Sequence, residues 1–133
     1  MGAHSVRVAI LDDDPSVRTA LVRLLKMAGM AVDAYGTSDE LFASLTMKLP
    51  DCLVLDFQMP GMNGLEVLQD LCRRQIHVPT IIMTAHNTAG LRSACLNAGA
   101  LAYLNKPLDP EQLIQIINGV SEASRSAAST SSA

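Results

Sequence analysis

The chain has 133 residues, of which 49% are hydrophobic and 17% are charged. This is the size of one domain with an ordinary hydrophobic core, and it excludes a disordered chain and a multidomain enzyme. Thirteen acidic residues against ten basic ones give a formal charge of -3. Because the only adjacent basic pair is Arg73 and Arg74, we expect no nucleic-acid binding by this segment.

Neither end of the chain has the pattern of a folded or membrane-inserted segment. We expect residues 1–5 to be a lead-in, residues 6–120 to form the domain, and the Ser/Ala-rich residues 121–133 to be a flexible tail or the start of a linker. No apolar run reaches the roughly 18 residues of a membrane span, and residues 1–5 lack the apolar stretch of a signal peptide. We therefore expect a cytoplasmic protein without membrane contact.

Three cysteines, Cys52, Cys72 and Cys95, are widely separated along the chain. An odd number of cysteines outside any C-x-x-C pattern argues against a disulfide framework and against a zinc site. We expect all three to be small, buried side chains in a reducing compartment.

Short apolar runs alternate with segments of helical periodicity. Five runs have the length and composition of strands: residues 6–11, 31–35, 52–55, 80–83 and 102–104. Helix starts are marked by Asp14 before Pro15, by the capping box of Thr37 and Glu40, by Asn63, and by Asp109 before Pro110. Strict alternation of strands and helices predicts a doubly wound α/β domain with a five-stranded parallel sheet.

Open α/β sheets bind ligands at the carboxyl ends of their strands, so the residues directly after each predicted strand are the candidates for chemistry. Four of the five strand ends carry such residues: Asp12, Asp13 and Asp14, then Asp56, then Thr84, then Lys106. The position of Asp14 before Pro15 favours a helix N-cap for this residue instead. The second strand ends without a chemical group, as expected for an edge strand.

Carboxylates that converge on one crevice repel each other, by about 4 kcal/mol for two charges about 4 Å apart at an effective dielectric near 20. A cation must therefore neutralise them, and oxygen ligands without His or Cys favour Mg²⁺. The charges of Asp12, Asp13 and Asp56 are cancelled by Lys106 and one Mg²⁺. Phosphorylation of one aspartate would leave the pocket with a net charge of about -1, which nearby Mg²⁺, Lys106 and backbone N–H groups can stabilise.

These motifs, in this order, resemble the receiver domains of two-component response regulators. The resemblance covers roughly residues 6–120 and rests on five motifs: LDDD at 11–14 together with VR at 17–18, DFQMPGMNG at 56–64, TA at 84–85, GA at 99–100 and KP at 106–107. It implies a flavodoxin-like fold with strand order 2-1-3-4-5. It also implies a phosphoacceptor signalling domain that takes its phosphoryl group from a sensor histidine kinase or a phosphotransfer protein.

The resemblance assigns the metal site and the nucleophile residue by residue. Asp56 would be the phosphoacceptor, and Asp13, Asp56 and the main-chain oxygen of Gln58 would bind Mg²⁺, with Asp12 acting through a water molecule. The Lys106-Pro107 peptide bond would be cis. Such a domain catalyses its own phosphorylation and dephosphorylation and is not an enzyme acting on a separate substrate.

The resemblance also assigns the phosphoryl-binding groups and a switch. The Lys106 ammonium, the Thr84 hydroxyl and the backbone N–H groups of Phe57 and Ala85 would hold the phosphoryl oxygens. Activation would couple Thr84 to rotation of Tyr103, which alone could also be an ordinary half-buried strand residue.

The segment after Thr84 contains four poor helix formers, which are Asn87, Thr88, Gly90 and Ser93. Low local stability suits an element that rearranges. We expect the face built from the fourth helix, the fifth strand and the fifth helix to meet a downstream target. Receiver domains with similar motifs precede a helix-turn-helix output domain in many regulators. We therefore also expect a linked DNA-binding domain and a phosphorylation-dependent dimer.

Two other functions stay open. An aspartyl phosphatase of the haloacid-dehalogenase type would use Mg²⁺ and a D-x-D motif, here Asp12 and Asp14, but Asp56 would then have no role. Its second acidic pair is also missing, because Asp109 and Glu111 begin a helix. A pseudo-receiver would keep the fold and its interactions without phosphotransfer.

Overall fold

The computed structural model describes the backbone of residues 5–131 and the side chains of residues 5–120 and 122. Strands and helices alternate along this stretch. The strands are β1 (Arg7–Leu11), β2 (Ala31–Tyr35), β3 (Cys52–Asp56), β4 (Thr80–Thr84) and β5 (Ala102–Asn105). The helices are α1 (Pro15–Met27), α2 (Ser38–Leu45), α3 (Gly64–Arg73), α4 (Leu91–Asn97) and α5 (Pro110–Ser131).

The five strands form one parallel sheet in the order β2-β1-β3-β4-β5. The register pairs Leu11 with Leu55 and Asp56 with Met83, so the strands end at nearly the same level. The doubly wound α/β fold, the strand order and the edge position of β2 are thereby confirmed. Because all strands run in one direction, the residues that follow them meet along one edge of the sheet.

Helices cover both faces of the sheet and bury its central strands, since every residue of β3 and β4 is buried. Helices α1 and α5 pack on one face through side chains that include Leu25 and Ile117. Helices α2, α3 and α4 cover the other face through Leu41, Leu71 and Cys95, among others. Burial of each of these aliphatic side chains contributes about 1.5–3 kcal/mol to folding. The strand ends are therefore held in place by a well-packed core.

Helices α1, α2 and α3 begin at caps that the sequence predicts. Asp14, Thr37 and Asn63 each accept a hydrogen bond from a backbone N–H in the first turn of the following helix. Asn63 and Glu66 also form a reciprocal capping box, with both donor–acceptor distances at 2.9 Å. Asp14 is thus a cap, and it lies outside the acidic cluster described below.

One cysteine differs from its predicted burial. Cys52 and Cys95 are buried, but Cys72 is exposed on α3, and all three are free thiols. The core-facing residue of this turn is Leu71, and one residue further along a helix the side chain points about 100° away. The prediction for Cys72 was therefore wrong because it did not take the phase of α3 into account.

Helix α5 extends beyond the predicted end of the domain. Its backbone is helical to Ser131, whereas residues 121–133 were expected to be a tail or a linker. This segment contains several alanines and neither Gly nor Pro, which favours continuation of a helix. Its role as a linker stays a prediction, and residues 1–4 and 132–133 lie outside the described residues. None of the helices between residues 5 and 131 has the length and apolar content of a membrane span.

Gly64 brings the start of α3 against the backbone that follows β3. Its N–H donates to the carbonyl oxygen of Phe57 at 2.8 Å. A Cβ at this position would lie 3.1 Å from the Phe57 Cα, 3.2 Å from the Asp56 carbonyl oxygen and 3.2 Å from the Ile82 Cδ1. Two of these three neighbours are backbone atoms, so they cannot rotate away.

We expect Gly64→Ala to displace the loop after Asp56 and to lower the free energy of unfolding by about 1–3 kcal/mol. Denaturant titration measures this loss. Gly119→Ala is the matched control, because Gly119 lies in α5 and a Cβ there meets no atom within 4 Å. An unchanged free energy of unfolding in Gly64→Ala would contradict the close approach.

Candidate functional site

Four strand ends bring the predicted pocket residues together. Asp12 and Asp13 follow β1, Asp56 ends β3, Thr84 ends β4, and Lys106 follows β5 by one residue. Asp12, Asp56 and Thr84 are buried, whereas Asp13 is exposed and Lys106 is half-buried. The pocket therefore has a buried acidic floor and an open acidic rim.

One carboxylate oxygen from each of Asp12, Asp13 and Asp56 lies within 4.8 Å of the other two. Three hard oxygen donors, with no His or Cys among them, fit Mg²⁺ better than zinc or copper. Gln58 lies in the loop directly after β3, and its main-chain role as a ligand stays a prediction. The acidic cluster is thus suited to hold one divalent cation.

Lys106 connects the two buried carboxylates of this cluster. Its Nζ lies 3.1 Å from the Asp56 Oδ1 and 3.3 Å from the Asp12 Oδ2. The Lys106 backbone N–H donates to the Thr84 carbonyl oxygen at 2.7 Å, which ties the loop after β5 to the end of β4. The Lys106-Pro107 bond is cis, as the resemblance implied.

The pKa values of the two partners reflect their burial and their contact. Burial raises the pKa of Asp56 above its ordinary 3.8, the hydrogen bond from Lys106 lowers it, and the Asp12 carboxylate raises it, so the net change is upward. Burial alone would lower the pKa of Lys106, but its contacts with Asp56 and Asp12 raise it above 10.5. Lys106 is therefore charged at neutral pH. Ionisation of the buried Asp56 lowers the free energy of unfolding.

Two predicted phosphoryl-binding groups are engaged elsewhere. The Thr84 hydroxyl donates to the His86 carbonyl oxygen at 3.0 Å and accepts from the His86 N–H at 3.1 Å. The Phe57 N–H donates to the Met83 carbonyl oxygen at 2.7 Å. Both groups would have to exchange partners to contact a phosphoryl group. Ala85, whose backbone N–H is the second backbone donor named above, lies exposed at the start of the loop after β4.

Tyr103 points into the protein and is 4% exposed. Its hydroxyl donates to the Asn87 Oδ1 at 3.2 Å, and the Arg92 guanidinium carbon lies 6.0 Å from the centroid of its ring. The sequence indicated Asn87 only as a poor helix former, so this contact was missed. Helix α4 is short, and Gly90 has no side chain to cap it, in agreement with the weak helix predicted here.

A pH dependence follows from the raised pKa of Asp56. Between pH 3.8 and that raised value, the folded protein binds more protons than the unfolded chain, so the free energy of unfolding falls as the pH rises through this window. Asn mimics the protonated side chain and removes this loss. Without Mg²⁺, we expect Asp56→Asn to match the wild type below about pH 3.8 and to be more stable at pH 7.

Denaturant titration over a pH series measures this difference. Addition of Mg²⁺ at pH 7 should narrow it, because the cation stabilises the folded wild type. A variant that is less stable than the wild type at pH 7 without Mg²⁺ would contradict the expected sign.

A family model, the response regulator receiver domain, matches residues 8–118. The chain is 38% identical over 109 residues to the DNA-binding transcriptional regulator NtrC of Klebsiella pneumoniae, covering 82% of this chain and 23% of that protein. It is 37% identical over 115 residues to the transcriptional regulatory protein FixJ of Azorhizobium caulinodans, covering 86% of this chain and 54% of FixJ. The chain thus spans between about a quarter and about a half of these curated relatives.

Solved structures agree with the fold and the sequence match. A response regulator receiver protein from Burkholderia phymatum is 43% identical, with a TM-score of 0.76 over 87% of this chain and 94% of that one. The crystal structure of FixJ-N is 31% identical, with a TM-score of 0.82 over 90% of this chain and 95% of that one. Together with the acidic pocket at the strand ends, these matches show that the chain belongs to the response regulator receiver domain family.

Proposed function

We propose that this receiver domain accepts a phosphoryl group on Asp56 in a Mg²⁺-dependent reaction and passes the signal to a partner. The single observation that carries the proposal is the Lys106 ammonium 3.1 Å from a buried aspartate that also faces two further carboxylates. Phosphoryl transfer to a carboxylate requires nearby positive charge, here from Lys106 and from a divalent cation bound by the acidic cluster.

In the proposed step, a carboxylate oxygen of Asp56 attacks the phosphorus of a phosphohistidine. A P–O bond forms, the P–N bond breaks, and its electron pair returns to the imidazole nitrogen. The fixed position of Asp56 at the end of a buried strand supplies orientation, and the Lys106 ammonium neutralises charge on the transferred group. Mg²⁺, held by Asp13, Asp56 and the Gln58 carbonyl oxygen, would offset the remaining negative charge.

The phosphoryl group would then compete for the Thr84 hydroxyl, which must leave its hydrogen bonds with His86. Loss of these bonds would free the loop between Thr84 and Gly90, including Asn87, which holds the Tyr103 hydroxyl. We propose that this rearrangement changes the face formed by α4, β5 and α5. A linked output domain or a separate target would bind there, and a second phosphorylated copy is a further candidate partner.

The proposed phosphodonors are a sensor histidine kinase or a phosphotransfer protein. NtrC of Klebsiella pneumoniae is a DNA-binding transcriptional regulator. We propose that this chain, too, acts in transcriptional regulation and that it does so in the cytoplasm. The phosphatase reading is less favoured because Asp14, its second aspartate, caps α1.

Intact-mass spectrometry after incubation with acetyl phosphate tests the proposal. We expect one added phosphoryl group with Mg²⁺ and none with EDTA. Absence of an adduct under all conditions, with a known receiver labelled in parallel, would favour the pseudo-receiver. Release of inorganic phosphate without need of Asp56 would favour the phosphatase.

A further inference from the structure

Arg18 reaches from the second turn of α1 to the loop that carries the acidic cluster. Its Nη1 donates to the main-chain carbonyl oxygen of Asp12 at 2.8 Å. The guanidinium also lies against Gly36, at the end of β2, where an added Cβ would be 2.9 Å from the Nη1 and 3.4 Å from the Cζ. The side chain therefore links the loop after β1 to the loop after β2.

This contact completes the fixation of Asp12. The Asp12 N–H donates to the Tyr35 carbonyl oxygen at 3.2 Å, its Oδ1 accepts from the Asp14 N–H at 2.9 Å, and its Oδ2 accepts from Lys106 at 3.3 Å. The Asp12 carbonyl oxygen, held by Arg18, belongs to the peptide plane that leads into Asp13. This plane contains the backbone N and Cα of Asp13, so its orientation sets the point from which the exposed Asp13 side chain extends toward the acidic cluster.

We propose that Arg18 is a positioning residue for cation binding, which fixes the peptide between Asp12 and Asp13 so that the Asp13 carboxylate faces Asp56. The inference rests on the proposed Mg²⁺ site. Outer residues that orient metal ligands commonly contribute about 10-fold to 100-fold in metal affinity.

The direction in which Mg²⁺ affinity changes when Arg18 is removed distinguishes a positioning role from a purely electrostatic one. A cation near the acidic cluster repels Mg²⁺, so removal of Arg18 would strengthen Mg²⁺ binding if its charge were all that mattered. Loss of the hydrogen bond to the Asp12 carbonyl oxygen would instead let the Asp13 carboxylate move and would weaken binding. The two roles therefore predict opposite changes in the dissociation constant.

Gly36 offers an independent way to disturb the same contact. Gly36→Ala leaves every candidate ligand unchanged, but its methyl group would occupy space needed by the guanidinium, which is the far end of a flexible side chain. We expect the side chain of Arg18 to move away and release the Asp12 carbonyl oxygen. Arg23→Ala is the matched charge control, because Arg23 is an exposed cation on the same helix.

The test is calorimetric titration of Mg²⁺ into the unphosphorylated chain. We expect Arg18→Ala to raise the dissociation constant about tenfold or more, Arg18→Lys to recover part of the affinity, and Arg23→Ala to stay within about twofold of the wild type. Gly36→Ala should weaken binding as Arg18→Ala does, and the double variant should bind no more weakly than either single variant. Unfolding without Mg²⁺ shows whether each variant is folded.

Unchanged or tighter Mg²⁺ binding by folded Arg18→Ala, beside a wild type that binds Mg²⁺, would overturn this inference alone. The inference would also be overturned if the dissociation constant of the double variant rose by the product of the two single-variant changes. A wild type that binds no Mg²⁺ would overturn both this inference and the proposed metal dependence.

Discussion

Asp56→Asn is expected to reduce phosphorylation by acetyl phosphate about 1,000-fold or more, because the amide that replaces the carboxylate is not a nucleophile. The change is nearly isosteric, so the buried strand end keeps its shape. Intact-mass spectrometry at fixed times with Mg²⁺ measures the phosphorylated fraction. Denaturant titration of this variant with Mg²⁺ present, under the labelling conditions, distinguishes loss of labelling from unfolding.

Asp39→Asn is the control for this prediction. Asp39 lies exposed in the first turn of α2, so the same chemical change is made far from the acidic cluster. We expect labelling of this variant at the wild-type rate. Phosphorylation of Asp56→Asn at that rate would show that another group is the acceptor.

Lys106→Ala is expected to change phosphorylation and Mg²⁺ affinity in opposite directions. The ammonium donates to Asp12 and pairs with Asp56, so it competes with a divalent cation for both carboxylates. Its removal should tighten Mg²⁺ binding about tenfold. Loss of a positive charge beside the transferred phosphoryl group should slow phosphorylation about 100-fold.

Calorimetry and time-resolved mass spectrometry measure the two effects on the same preparation. Lys48→Ala is the matched control, because Lys48 is exposed in the loop after α2. Weaker Mg²⁺ binding by folded Lys106→Ala would mean that the lysine assembles the acidic cluster and does not compete for it.

Much of the architecture could be predicted because it depends on local patterns. Alternation of apolar runs with capped helices predicted the parallel sheet, and parallel strands must bring their carboxyl ends to one edge. Asp12, Asp56 and Lys106 could therefore be grouped from the sequence alone, although 94 positions separate Asp12 from Lys106.

Details that depend on side-chain direction could not be predicted in the same way. The hydrogen bonds of Thr84 with His86 and of Tyr103 with Asn87 depend on the path of the loop after β4, for which the sequence has no periodicity. Arg18 in α1 connects the loop after β1 to the loop after β2, and no local pattern in the sequence reveals this contact. The exposure of Cys72 depends on the phase of α3, which the spacing of cysteines does not report.

Localisation of the phosphoryl group in the wild-type chain tests the central claim most directly. Borohydride reduces an aspartyl phosphate to homoserine, and peptide sequencing by mass spectrometry then reads its position. We predict homoserine at position 56 after incubation with acetyl phosphate and Mg²⁺, and aspartate at that position when EDTA is present. Homoserine at another acidic residue, with position 56 unmodified, would contradict the assignment of Asp56 as the phosphoacceptor.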